Sequence, residues 1–140
     1  MADLLLGTAE FLAADAPLEL PDRFVPAFAA GGVLTIWLDG CVALWPAPAW
    51  SSLTDRIGAL PLSLPDGRAF ERVLFSSAVE FEIEPGARRL AVPEAHRRQA
   101  GIDGPAVLVG AGDHAELWDA ARWAAVARQR LEDLALPVTV

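Results

Sequence analysis

The run Leu44-Trp45-Pro46-Ala47-Pro48-Ala49-Trp50 returns as Leu117-Trp118-Asp119-Ala120-Ala121-Arg122-Trp123, a Leu-Trp pair followed by a second tryptophan at the same distance, 73 positions further along a chain of 140. Tryptophan is rare, and four of the five in this chain belong to the pattern. Two copies so spaced predict duplication of one supersecondary unit. A unit of that size cannot bury its own apolar face, so the two halves must share one core. With 54% hydrophobic residues, the chain has ample material for it.

The remaining residues repeat one grammar. Thr8 to Leu12 reads as a short strand, residues 13–17 as a turn, and Leu18 to Leu20 as a second strand. Pro21-Asp22 breaks that strand and offers an N-cap to a short helix holding Phe24, Val25 and Phe28. Val33 to Leu38 is the strongest strand, Asp39-Gly40 a hairpin turn and Cys41 to Trp45 the return, before a helix facing inward with Trp50, Leu53, Ile57 and Leu60. A proline-rich linker (61–67) and a helix from Arg68 to Ala78 lead to Val79-Glu80-Phe81-Glu82-Ile83-Glu84, whose period of two predicts a strand with one acidic face. Pro85-Gly86-Ala87 then turns the chain, Arg89 to Val92 returns it, and Pro93-Glu94 opens a short helix. Strands follow at 105–109 and 115–118, and Asp119 caps a last helix that can turn Trp123, Val126, Leu131 and Leu134 inward.

Laying the halves over one another with an offset of 72 places Glu10 on Glu82, Phe11 on Ile83, Leu18 on Leu90, Leu20 on Val92, Pro21 on Pro93 and Asp22 on Glu94. One inserted residue later the offset is 73, and Trp45 falls on Trp118. The expected architecture is mixed α+β and β-rich: a pseudo-symmetric β-barrel with short helices at its edges. The expected organisation is a single domain, 1–140, of two repeats at about 7–60 and 79–134, joined by a proline-rich turn and helix at 61–78.

Charge narrows the function. A net charge of −8 argues against a generally basic nucleic-acid-binding surface. All eleven cationic side chains are arginines, and Arg88, Arg89, Arg97 and Arg98 crowd together with only Glu94 opposing them locally. The bland reading is a solvated cluster balancing Glu80, Glu82 and Glu84; the sharp one is a patch dense enough to hold a nucleic-acid backbone. The start Met1-Ala2-Asp3 lacks the basic region of a signal peptide, and no apolar run is long enough to span a bilayer. A single cysteine, Cys41, permits no internal disulfide, so a cytoplasmic location is expected.

Catalytic patterns are weak. Gly110-Ala111-Gly112-Asp113-His114-Ala115 fits a loose phosphate-cradling string, yet its counterpart is the Asp39-Gly40 turn and a strand rather than a helix should follow. His96, His114 and Cys41 are too few and too scattered for a metal site, and no cofactor or enzymatic activity is expected. The tryptophans are expected in the core and at the repeat interface rather than on a base-stacking platform, which needs aromatics interleaved with Arg or Lys.

The tandem arrangement resembles the MraZ family over nearly the whole chain, about residues 7–134. The resemblance rests on Leu44-Trp45-Pro46 with Trp50, on Arg68-Ala69-Phe70-Glu71-Arg72-Val73-Leu74, on Leu108-Val109-Gly110 and on Glu116-Leu117-Trp118-Asp119. It implies a bacterial DNA-binding transcriptional regulator of the division and cell-wall gene cluster. It further implies two SpoVT-AbrB-like swapped-hairpin halves, assembly into a homo-oligomeric ring, operator repeats upstream of its own gene cluster as the DNA partner, and a cytoplasmic, nucleoid-associated location. The family's two DNA-reading hairpins each carry Asp-x-x-x-Arg followed four residues later by proline. In the second half Pro93 sets the register, Arg89 stands at the Arg position, Arg88 where glycine is usual, and Pro85 at the Asp position with Glu84 beside it. In the first half Pro21 sets the register, and the two positions hold Pro17 and Ala13, with Asp15 between them.

The resemblance therefore implies a regulator whose DNA contact falls to the second hairpin, through Arg88, Arg89, Arg97 and Arg98. The alternative is a degenerate paralogue that keeps the barrel and the oligomer but no longer binds DNA, acting as an interaction or structural protein.

Overall fold

A computed structural model describes residues 4–84, 86–129 and 131–135. The strands are β1 (Thr8–Phe11), β2 (Leu18–Glu19), β3 (Gly32–Ile36), β4 (Val42–Pro46), β5 (Val79–Phe81), β6 (Arg89–Leu90), β7 (Ala106–Gly110) and β8 (Ala115–Asp119). Helices α1 (Ala47–Gly58), α2 (Pro65–Ser77), α3 (Glu94–Gln99) and α4 (Ala120–Val126) join them, together with a 3-10 segment at Asp22–Phe28. The class is mixed α+β and β-rich, as expected.

Six strands form one antiparallel sheet in the order β1-β7-β8-β4-β3-β5, and β2 pairs with β6 in a separate two-stranded ribbon. The order reads alike from either end once β1 is matched with β5, β7 with β3 and β8 with β4. Hairpins are exchanged between the halves: β1 pairs with β7, and β5 with β3. In the ribbon Leu18 lies opposite Leu90, its own counterpart in the overlay, so the pseudo-twofold passes between them.

Alternation along the strands explains why β3, β4, β7 and β8 are buried almost throughout. Leu34, Val42, Leu44, Leu108 and Leu117 face one cluster with Phe24, Phe28, Leu18 and Leu90. Val33, Ala43 and Trp45 face the opposite way, against Leu53 and Ile57 of α1 and Leu74 of α2. Val107, Val109 and Trp118 pack towards α4. A sheet covered on both faces favours apolar side chains on both, so its strands read as nearly continuous apolar runs, with Thr35 paired to the Trp45 indole as a buried polar exception.

Several expectations are corrected. Pairing places Phe11 opposite Ala106 and Phe81 opposite Gly32, so Phe11 corresponds to Phe81 rather than to Ile83. The segment from Phe81 to Leu90 spans nine steps against seven from Phe11 to Leu18, so a constant offset cannot hold across it. Strand β5 ends at Phe81, leaving Glu82 and Glu84 outside it. Helix α2 begins at Pro65, inside the expected linker, because proline suits a first helical position. Pro21 rather than Asp22 occupies the cap of the 3-10 segment, and no side chain caps it. Helix α4 stops at Val126, which leaves Val126, Leu131 and Leu134 exposed instead of inward. Asp119 does cap it, accepting from the Arg122 amide at 3.1 Å. Met1, Ala2, Asp3 and Pro85 lie outside the described residues.

Candidate nucleic-acid interface

The ribbon of β2 and β6 presents Leu18 and Leu90 to the core and Glu19 and Arg89 outward. The turn before β6 is held by backbone bonds from the Ala87 amide to the Glu84 carbonyl at 3.1 Å and from the Leu20 amide to the Arg88 carbonyl at 2.7 Å. Arg88 has φ of 53°, the left-handed region where glycine is at ease and other residues are uncommon. The family resemblance implies a glycine at this position.

The structure separates the four arginines. Arg88 reaches across to the first half, where its guanidinium donates to Asp22 and, at 2.9 Å, to Glu19. The hydrogen bond to Asp22, reinforced by its charge, holds the guanidinium pKa above its usual value. Arg97 is half-buried and donates through Nε to the Val92 carbonyl at 3.2 Å. Arg98 pairs with Glu94 one helical turn away at 3.0 Å. Arg89 is exposed and makes no ion pair among the described residues, although Glu19 lies opposite it in the ribbon. Arg97 also borders a cleft with Ala13, Asp15 and Asp103, so the first hairpin and the α3 end bring acids to this side.

Glu80, Glu82 and Glu84 form no ion pair with these arginines among the described residues; the acids that pair with them are Glu94 at Arg98 and, at Arg88, Glu19 and Asp22. The sequence held a signal for them. Because Leu18 and Leu90 are counterparts facing each other across the pseudo-twofold, their neighbours Glu19 and Arg89 had to be adjacent. Reading Asp22 as a helix cap hid its second use.

A second cluster of titratable groups surrounds His114 beside the β7–β8 turn. His114 is buried, stacked on Trp45 with ring centroids 4.4 Å apart, and bonded to Asp113 at 2.7 Å and Glu116 at 2.9 Å. Arg56 approaches Asp113 at 3.9 Å from α1. Burial pushes the imidazole pKa down, but hydrogen bonds to Glu116 and Asp113 outweigh it, and the net shift is upward from 6.5. Burial likewise disfavours the Glu116 carboxylate, yet bonds from His114 and Trp118 leave it below 4.5. The Cys41 thiol is pushed well up by burial and then by the charges of Glu116 and Asp39, so it stays protonated and unreactive.

These shifts set a pH dependence. A raised imidazole contributes its full stability below 6.5 and loses it as pH rises through the folded pKa, while a lowered carboxylate loses its contribution as pH falls below 4.5. Thermal midpoints measured across pH are expected to be highest between these limits and to fall on the alkaline side. His114→Gln should flatten that alkaline fall; an unchanged slope would place its origin elsewhere.

A family model described as "MraZ protein, putative antitoxin-like" matches residues 74–136. The chain is 39% identical over 110 residues to the transcriptional regulator MraZ of Thermomicrobium roseum, covering 79% of this chain and 77% of that protein. The chain belongs to the MraZ family. Identity to the transcriptional regulator MraZ of Desulfitobacterium hafniense is 38% over 112 residues, with 80% and 78% covered, and to that of Heliobacterium modesticaldum 37% over 106 residues, with 76% and 73% covered.

Proposed function

We propose that this chain is a DNA-binding transcriptional regulator that meets its operator mainly through the second-repeat hairpin, with Arg89 as the leading cation and Arg88, Arg97 and Arg98 around it. The observation that carries the reading is the exposed Arg89 on the outer face of the ribbon, without an ion pair among the described residues, at the position where the family resemblance implies the DNA-contacting Arg. The relatives' shared name, transcriptional regulator MraZ, supports it. One cation per subunit is a weak hold, because affinity for a phosphate backbone grows with the number of phosphates neutralised. Assembly of several subunits as a ring on repeated operator DNA would multiply it through effective concentration. Two repeats, at about 7–60 and 79–134, make the unit that is so repeated.

A mobility-shift titration with a duplex covering the region upstream of the chain's own gene tests this. The protein should retard it at about 50 mM salt, with affinity falling steeply as salt rises, and Arg89→Ala should abolish retardation while leaving the thermal midpoint in place. A second reading, a paralogue that has left DNA, draws on Arg88 being already engaged by Glu19 and Asp22. Failure of retardation even when that engagement is removed would favour it.

A further inference from the structure

We propose that Glu19 and Asp22 of the first half form an intramolecular latch on Arg88, occupying the guanidinium with carboxylates where DNA would offer phosphate. This inference rests on the DNA-binding reading and assigns that same hairpin a regulatory part.

The latch is built by backbone and side chain together. The bond from the Leu20 amide to the Arg88 carbonyl pins the two segments side by side, and Glu19 and Asp22 flank Leu20-Pro21. From there the Nη1 of Arg88 donates to Asp22 and its Nη2 to Glu19 at 2.9 Å. Both terminal nitrogens of the fork are thus used, the same pair that a phosphate would take in a bidentate contact. A left-handed backbone at an arginine is uncommon and persists where surrounding structure over-determines it. Here the backbone bond from the Leu20 amide to the Arg88 carbonyl supplies that surrounding structure.

The geometry also keeps the latch openable. The Arg88 side chain is 35% exposed, and those of Glu19 and Asp22 are 62% and 86% exposed. Exposed ion pairs are weak and screened by salt, so phosphates at high local concentration can displace the carboxylates. A fully buried pair could not exchange in this way. The device runs in one direction only: at the overlay's offset of 72, the counterparts of Arg88 and Glu19 are Ala16 and Ala91, and that of Asp22 is Glu94, which pairs with Arg98. The half that lost its own Arg position therefore supplies the acids that hold the other half's neighbouring arginine.

The test compares full-length wild type with Glu19→Gln/Asp22→Asn on two duplexes, the upstream region and a scrambled sequence of equal length. Opening the latch should tighten binding to the upstream duplex by about three- to tenfold and steepen its salt dependence by about one released counterion per subunit engaged. Adding Arg88→Ala to the double variant should erase the gain, whereas Arg88→Ala alone should barely change wild-type affinity, because that guanidinium is already taken. Asp55→Asn/Asp66→Asn removes equal charge far from the ribbon and controls for net charge. An equal gain from that control, or a gain surviving Arg88→Ala, overturns the latch while leaving DNA binding intact. Wild type and open variant binding equally well overturns it likewise. If neither retards either duplex at low salt, the DNA-binding reading itself fails, and the latch with it. Retardation by the open variant alone upholds both, with the wild type held closed.

Discussion

Trp45→Ala is expected to cost about 3–5 kcal/mol, a range set by cavity formation on truncating buried aromatics. The side chain is 1% exposed and sits between the sheet and the α1/α2 layer, against Val33, Leu53, Ile57 and Leu74. Its indole N–H donates to the Thr35 hydroxyl at 3.0 Å, and Thr35 is itself fully buried. Truncation therefore opens a void and orphans a hydroxyl, and the second loss adds about 1–3 kcal/mol where water cannot enter. Its ring also stacks on His114 and meets Trp37 edge-on at 4.8 Å, so the pH-dependent cluster would lose its cover. Against a total stability of about 5–15 kcal/mol, this would bring the chain close to its unfolding threshold. Urea unfolding followed by circular dichroism should show the midpoint falling steeply.

The second tryptophan of each pair should behave differently. Trp50 and Trp123 are only half-buried at the edges of their clusters, so Trp50→Ala should cost well under half the Trp45 figure. Trp45→Phe separates the remaining terms: it restores most of the apolar contact but leaves Thr35 without its donor, so a residual cost of about 1–2 kcal/mol isolates that hydrogen bond. Comparable losses for Trp45 and Trp50 would mean that the helix-sheet cluster relaxes around a missing indole instead of holding its shape.

The elements that sequence periodicity located well are those whose burial is decided by local alternation. Residues 33–36, 42–45, 106–109 and 115–118 are strands because both sheet faces are covered, and apolar runs bounded by Gly, Pro and Asp announce that. The Asp39-Gly40 turn was visible because both residues must take positive φ, at 64° and 76°. What failed depended on partners remote in sequence. Leu131 and Leu134 continue a helical apolar spacing, yet both are exposed. The match of Phe11 to Ile83 failed because two extra residues between β5 and β6 are invisible until Gly32 is seen opposite Phe81.

At the candidate interface the sequence leaves open which arginines are engaged within the fold. Pro93 and the crowding of arginines single out this hairpin in the sequence, and Arg88 in it has a left-handed φ, a backbone region that favours glycine. Composition could not tell which arginines were spoken for. Three of the four donate to partners within the fold, and the two that hold Arg88 come from a segment 66 to 69 residues earlier. The free positive surface is therefore smaller than the local crowding of arginines suggests, because Arg88 is held by acids remote in sequence rather than by the nearby run of glutamates.

Gly110→Ala is expected to destabilise by about 1–3 kcal/mol or more, since a methyl group inserted against fixed backbone cannot be absorbed by a rotamer change. A Cβ at Gly110 would lie 2.5 Å from the Leu5 carbonyl oxygen and 2.6 Å from the Leu6 amide nitrogen. That approach is what joins β1 to the β7–β8 turn: the Gly110 amide donates to Gly7 at 2.7 Å, and Leu5 bridges to Gly112 on the other side of the turn. The glycine string that resembles a phosphate cradle is thus filled by the chain's own N-terminal backbone. Gly112 supplies the control. It has φ of 90° and open space where a Cβ would stand, so Gly112→Ala meets strain without collision and should cost only about 1 kcal/mol. If collision with Leu5 and Leu6 is the cause, Gly110→Ala should also expose β1 in native-state hydrogen exchange, with early loss of protection at residues 8–11. Equal destabilisation by the two substitutions, with β1 still protected, would place the cost in backbone conformation and remove the close approach as the reason for glycine at 110.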